Sequence, residues 1–129
     1  MTVDRNERIE RAAELMHKHR IAALPVTEGR SVVGILSSRE IVDGLARHGS
    51  RFSALRISDL MRLDFVRTSP QESLKRVMAM MTRHRTTHVP VFSGEHLVGI
   101  VSLGDVVKHR LEDLELESNV LRDAYIAAH

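Results

Sequence analysis

The chain has no cysteine, which excludes a disulfide framework and any thiolate metal site. Aromatic residues make up only 3% of it, so a core must be built from aliphatics and methionine, and stacking on nucleic-acid bases loses its usual platform. No apolar run reaches the length of a membrane span, and the opening Met-Thr-Val-Asp-Arg lacks the apolar stretch of a signal peptide. A surplus of one charge sign is missing too: the formal net charge is +2, and acids alternate with bases instead of leaving a basic block. Together these absences predict a cytoplasmic protein that binds neither membrane nor nucleic acid.

What is present is a pattern that occurs twice. Val32-Val33-Gly34-Ile35-Leu36-Ser37-Ser38-Arg39-Glu40-Ile41-Val42 returns 65 residues later as Leu97-Val98-Gly99-Ile100-Val101-Ser102-Leu103-Gly104-Asp105-Val106-Val107, without a gap. Upstream at the same offset, Glu7/Glu72, Arg11/Arg76, Met16/Met81, His19/His84, Arg20/Arg85, Pro25/Pro90, Val26/Val91 and Gly29/Gly94 are identical pairs. The chain is a tandem repeat. Each half alone, at roughly 60 residues, is marginal as an independent fold, so the two copies are expected to share one core.

Within each copy the pattern predicts a helix, a hairpin and a second helix. Asp4 with Glu7, and Ser69-Pro70 with Glu72, read as helix starts with capping residues, followed by apolar residues at helical spacing. Helices are therefore expected near 5–19 and 70–84. Pro25 and Pro90 sit in short apolar segments, and since proline cannot donate to a ladder each is expected on an edge strand or a strand start. Glycine turns at Gly29 and Gly94 lead into strands over 31–36 and 96–101. A lead-in strand is expected to be clear at Phe65-Val66-Arg67 and cut to Thr2-Val3 in the first copy. The resulting division is 1–48 for the first repeat, 49–64 for a connection with a helical turn at Ile57–Met61, 65–111 for the second repeat, and 112–129 for a helical extension. In that extension Val107, Leu111, Leu114, Ser118, Leu121 and Tyr125 form a narrow apolar seam. Packing back on its own module and pairing with a second subunit both remain open for it.

Each strand-to-helix junction gathers free backbone N–H groups and a carboxylate. Ser102 stands at an N-cap and Asp105 in the first turn, with Gly104 allowing close approach of a ligand to the backbone. Ser37 and Glu40 form the corresponding pair, with the spacing of a complete capping box.

Taken together, Leu24-Pro25-Val26 with Val33–Glu40, and Val89-Pro90-Val91 with Val98–Asp105, resemble a pair of CBS domains, the tandem called a Bateman module. The resemblance covers nearly all of residues 2–111, and the ending is similar to small stand-alone bacterial members. It implies an α/β (α+β) fold of two βαββα halves related by a pseudo-twofold, clefts between the halves, and frequent homodimerisation. It also implies a regulatory role in signal transduction through an adenosine-containing ligand: AMP, ADP, ATP, NAD(H) or S-adenosylmethionine. The family's Ser/Thr-x-x-Asp motif falls on Ser102, Leu103, Gly104 and Asp105, which assigns Asp105 to the two ribose hydroxyls, a role suited to an acceptor-only group. By the same resemblance this cleft is completed by Thr2, Val3, Ala22, Ala23, Pro25 and Ser37. The other cleft combines Ser37 and Glu40 with Thr68, Thr87, His88 and Pro90, where His88 takes a position often held by a phosphate-facing basic residue. Glu40 departs from the family's aspartate by one methylene, so capping is read as its role ahead of ribose binding.

The remaining chemistry is thin. His84 and His88 have i, i+4 spacing, but Pro90 implies that the helix ends before His88, so no metal site is expected. The methionines Met78, Met80 and Met81 read as core filler. No nucleophile elbow or paired-carboxylate motif appears, and no enzyme activity is expected. The functional expectation is a nucleotide-responsive module acting on an unidentified effector protein; the alternative is a structural dimerisation module with an empty cleft.

Overall fold

Pro25 lies opposite Ile35, and Ile35 turns both of its backbone groups away from the hairpin: its N–H donates to the Arg62 carbonyl at 3.0 Å and its carbonyl accepts from the Arg62 N–H at 2.8 Å. A residue with no N–H is therefore tolerated inside the sheet, because nothing opposite it requires a bond. The computed structural model describes residues 1–128, with side-chain surroundings through Leu116. In chain order it contains β1 (Val3–Asp4), α1 (Ile9–His19), β2 (Ala23–Glu28), β3 (Ser31–Ser37), α2 (Ser38–His48), a 3-10 segment (Gly49–Ala54), α3 (Ile57–Leu60), α4 (Leu74–His84), β4 (His88–Ser93), β5 (His96–Ser102) and α5 (Leu103–Ala128). The fold is α+β, with a small sheet in each half.

The two hairpins are built alike. β2 pairs antiparallel with β3 and β4 with β5, and each register shifts at the same place, Val26/Thr27 and Val91/Phe92. Gly29 and Gly94 make the turns at φ +60° and +62°, a conformation that glycine adopts without a Cβ clash. β1 adds parallel to β2, so the sheet order is β1-β2-β3. This corrects the expectation of an edge position for the Pro25 strand: β2 is central, and β1 joins it only from Val26 onward.

The lead-in strands also come out reversed. Val3–Asp4 is a strand, whereas Phe65-Val66-Arg67 is not, and the second copy retains a single parallel bridge, Thr68 to Val91. The cause lies in one residue. In the first copy the Arg5 N–H donates to the Thr27 carbonyl at 2.9 Å and prolongs the pairing; the residue 65 positions on is Pro70, which has no N–H to give. Arg67 instead lays its guanidinium over the Phe65 and Phe92 rings, at 5.6 and 4.3 Å from their centroids.

α1 and α4 begin four residues later than 5 and 70, at Ile9 and Leu74. Asp4–Glu7 and Ser69–Glu72 form turns just ahead of them, closed by Glu7 N–H to Asp4 carbonyl and Glu72 N–H to Ser69 carbonyl, both at 3.1 Å. The true cap of α4 is Ser73, whose hydroxyl accepts from the Arg76 N–H at 3.2 Å. α1 is instead set by the connection, where Ile9 donates to Leu55 and Ile57 donates to Glu7.

The buried side chains fall into two clusters, not one shared core. The first holds Val3, Ile9, Ala12, Met16, Leu24, Val26 and Leu36, together with Ile57 and Leu60 from the connection. The second is smaller: Val77, Met81, Val89 and Val106. The difference follows from coverage of the hairpins. Met61 and Arg62 lie across β3 at Gly34 and Ile35, leaving Ile35 4% and Leu36 0% exposed. Among the described residues, nothing comes within 4 Å of a Cβ built on Gly99, the counterpart of Gly34, and Val98 beside it is 56% exposed.

Candidate functional site

Each strand-to-helix junction is anchored to the opening of its own hairpin. The Ser38 N–H donates to the Ala22 carbonyl at 2.9 Å, and the Leu103 N–H to the Thr87 carbonyl at 2.7 Å. The register places Ser37 opposite Ala23 and Ser102 opposite His88. The first helical turn of α2 and the start of β4, from different repeats, then face each other across a narrow cleft. Ser37, Glu40 and Arg39 line it from one side, Arg85, Thr86, Thr87 and His88 from the other, and Ile35 with Arg62 forms its floor.

The cleft itself is small, about 60 Å³. On the far side of Arg62 and Thr86 lies a second, much smaller hollow of about 10 Å³, lined by Asp64, Phe65, Val66 and His84. At the mouth of the cleft Arg39, Arg85, Thr86 and Thr87 also border a basin of about 300 Å³ that reaches Met81 and Leu103. The three hollows are separate and share only part of their linings: Ile35, Arg62 and Thr86 on one side, and Arg39, Arg85, Thr86 and Thr87 on the other. A trough of similar size on the outer face of α4, along Arg76, Met80 and Arg83, is made by one helix of one repeat and has no junction residues.

The two carboxylates differ in their commitments. Glu40 completes a capping box: its Oε2 accepts from the Ser37 N–H at 2.9 Å and from the Ser37 hydroxyl, while Oε1 faces Arg62 Nε at 3.9 Å. Arg62 is drawn to Asp64 as well, at 3.5 Å. Asp105 is exposed; its backbone N–H donates to the Ser102 hydroxyl at 3.1 Å, and among the described residues its carboxylate has no ion-pair or hydrogen-bond partner. His88 lies between them. Burial lowers its pKa from the ordinary 6.5, opposed by the Glu40 and Asp105 carboxylates, and its Nδ1 is 3.0 Å from the Thr87 hydroxyl.

Of the residues the sequence singles out, Ser37, Glu40, Thr87 and His88 come together in the groove. Thr68 and Pro90 are drawn away from it into strand pairing: the Thr68 N–H donates to the Pro90 carbonyl at 3.0 Å and both residues are buried. The Thr68 hydroxyl is left without a partner among the described residues. The set expected around Asp105 is not gathered into one cleft. Val3 is taken up by the first core and Ala23 is 2% exposed. Pro25 borders a separate hollow of about 100 Å³ with Met1 and Leu97–Ile100, while Thr2 and Ala22 are exposed. Ser102 closes β5, and Leu103 and Gly104 open α5 just before Asp105.

Sequence reasoning passed over Arg39, Arg62 and Arg85. Arg39 had a signal, since the position matched to it in the second copy is Gly104. Arg62 lies outside the repeated pattern, and Arg85, although paired with Arg20 within it, is brought to the groove only by the fold. α4 ends at His84, and His88 opens β4, so the two do not share a helical face. No group of three or more His, Asp or Glu side chains gathers as a metal cage among the described residues, and no described helix is long and apolar enough to cross a membrane.

Comparison with known proteins agrees with this architecture. The family model for the CBS domain matches residues 1–47 and again 57–112. The CBS domain-containing protein YhcV of Bacillus subtilis is 32% identical over 112 residues, covering 87% of this chain and 79% of that protein. Larger curated relatives are matched over as little as 11% of their length. Among solved structures, the CBS-domain containing protein ATU1752 from Agrobacterium tumefaciens superposes with a TM-score of 0.81 at 36% identity, covering 85% of this chain and 83% of that one. The CBS domain pair of protein MJ0100, solved in complex with 5'-methylthioadenosine and S-adenosyl-L-methionine, gives a TM-score of 0.77 at 27% identity, covering 88% and 89%. With its motif carried twice and a junction groove between the copies, the chain belongs to the CBS-domain family, as a tandem pair.

Proposed function

We propose that this CBS pair is a regulatory module that binds an adenosyl ligand in the groove between its repeats. The observation that carries the reading is the joint construction of that groove, with Ser37 and Glu40 from the first repeat and Thr87 and His88 from the second. Glu40 Oε1 suits a ribose hydroxyl, Phe65 and Val66 offer apolar surface on one side of Arg62, and Arg39 and Arg85 stand on the other side of the cleft. Asp105, with its carboxylate uncommitted, serves a second, pseudo-twofold-related position. The adenosyl compounds bound by MJ0100 support the ligand class.

The mechanism is a population shift. A cleft of about 60 Å³ is far below the roughly 300–1,000 Å³ of an ordinary ligand pocket, so the ligand favours an arrangement in which the repeats stand further apart. It biases the module by its difference in affinity for the two arrangements and by nothing else. The module binds and reports, and carries no bond-making step of its own. α5 supplies the contact to a second subunit: Val106 is fully buried in its own module, whereas Val107, Leu111 and Leu114 are 38%, 54% and 43% exposed. Ser118, Leu121 and Tyr125, the rest of the predicted seam, lie outside the residues whose side chains are described.

Thermal unfolding with a panel of adenosyl compounds tests the reading. Saturation at about one hundred times the dissociation constant adds roughly 2.7 kcal/mol to the stability. A transition unmoved by every compound overturns it and leaves a structural dimerisation module.

A further inference from the structure

We propose that the outer edge of β5 is a docking site for an extended segment of a partner polypeptide, one that carries an unbranched apolar residue followed by arginine or lysine. The first repeat already holds such a segment, Met61-Arg62, on the matching edge of β3. Among the described residues, the second repeat presents that edge uncovered.

Pro90 lies opposite Ile100 as Pro25 lies opposite Ile35, and the register shifts at the matching place in both hairpins. The N–H and carbonyl of Ile100 therefore turn away from β4, as those of Ile35 turn away from β2. Ile35 exchanges both bonds with Arg62 in an antiparallel bridge. Ile100 has no backbone partner for either group among the described residues. An open edge of this kind is a template for strand addition. The side chains repeat the contrast. Met61 packs against the bare backbone of Gly34, and Gly34 and Ile35 are buried. Gly99 is exposed, and beside it a hollow of about 100 Å³ opens between Leu97–Ile100, Met1 and Pro25.

Charge decides what the edge accepts. While its backbone pairs with Ile35, Arg62 faces the Glu40 carboxylate at 3.9 Å. The residue matched to Glu40 is Asp105, whose carboxylate has no ion-pair or hydrogen-bond partner among the described residues. A segment entering in the register of Met61-Arg62 sets its basic residue against that carboxylate, and a charge-assisted contact is added to the two backbone bonds. The β5 strand itself, His96–Ser102, contains neither lysine nor arginine, so two copies paired edge to edge would leave Asp105 unanswered. The occupant is therefore a different polypeptide. Its docking is independent of any ligand beside Glu40 and shares only Asp105 with the second adenosyl position.

Nuclear magnetic resonance of the full chain with a synthetic peptide copying Asp59 to Phe65, its ends blocked, tests the proposal. The peptide is expected to shift the Val98–Val101 amides saturably, with a dissociation constant of about 1 mM or tighter. At saturation it should slow hydrogen exchange at the Ile100 N–H about threefold or more. In Gly99→Ala a Cβ stands where the segment must pass, so affinity should fall at least about fivefold, while the melting temperature is unchanged or higher. Asp105→Asn should weaken binding by about two- to fivefold, and a peptide methylated on the arginine's backbone nitrogen should lose most of it. A peptide that leaves the β5 amides unmoved up to millimolar concentration, or that binds Gly99→Ala as tightly as wild type, overturns the proposal. An Ile100 N–H already protected in the free chain, in proportion to protein concentration, means that a second copy closes the edge and overturns it as well.

Discussion

Glu40 and Arg62 face each other at 3.9 Å across the floor of the groove, and the second oxygen of the same carboxylate closes the capping box of α2. Asp105 has the equivalent place in the other repeat and, among the described residues, has neither tie. Glu40→Ala should therefore lower the unfolding free energy by about 1 kcal/mol through loss of the cap and also weaken ligand in the groove. Asp105→Ala keeps the bond from its backbone N–H to Ser102, so its stability should stay within about 0.5 kcal/mol of wild type, while one of two binding events disappears from a titration. Urea unfolding combined with binding stoichiometry checks both, and a pair of variants indistinguishable in both measurements would contradict the assignment.

Gly34 and Gly99 occupy one position of the repeat in opposite surroundings. A Cβ on Gly34 would stand 2.8 Å from the Arg62 carbonyl oxygen and 3.0 Å from the Met61 sulfur, while one on Gly99 meets nothing within 4 Å among the described residues. Gly34→Ala must push back a strand-like segment that is hydrogen-bonded to Ile35, and a cost of about 1–3 kcal/mol is expected. Gly99→Ala should be neutral, or stabilising by up to about 1 kcal/mol through the unfolded state. Thermal unfolding of the two variants decides the matter; a Gly34→Ala protein as stable as wild type would show that Arg62 does not hold this edge.

Much of the architecture was legible because the chain states it twice: the matched prolines, glycine turns and serine caps locate both hairpins and both junctions. What could not be read lies where the copies differ by a single atom or group. Pro70 lacks the N–H that Arg5 provides, and this decides which lead-in becomes a strand. The capping role of Glu40 was legible, since a contact three residues long is local. The groove was not, because Arg62 and Arg85 reach it from the connection and from the end of a helix, separations that no spacing rule encodes. The partition into two cores was hidden for the same reason: the coverage of β3 by Met61 and Arg62 is a tertiary fact.

His88 makes the stability depend on pH in a direction fixed by its surroundings. Burial is the leading cause and lowers its folded pKa below the ordinary 6.5, with Glu40 and Asp105 acting the other way. The unfolded chain then binds more protons than the folded one as pH falls through 6.5, so stability drops with acid until the folded imidazole also protonates. His88→Gln should flatten this part of the profile. Melting temperatures of wild type and variant across pH 5–8 provide the test, roughly the span in which histidine titrates, and the other histidines cancel in the difference. Two parallel profiles would mean that His88 has no such burden.

The apolar seam on α5 predicts the assembly state. Val107, Leu111 and Leu114 point away from the second core while Val106 enters it, so the helix presents one face to its own module and offers another outward. Leu111 and Leu114 are three residues apart and share that outward face. A charge there is incompatible with an apolar contact but costs the monomer little, because both side chains already meet water. Leu111→Asp with Leu114→Asp should therefore convert a dimer to a monomer in sedimentation or light scattering while changing the monomer's stability by less than about 1 kcal/mol. A dimer that survives both substitutions would place the subunit contact elsewhere, and a wild-type protein that is monomeric at high concentration would remove it from α5 altogether.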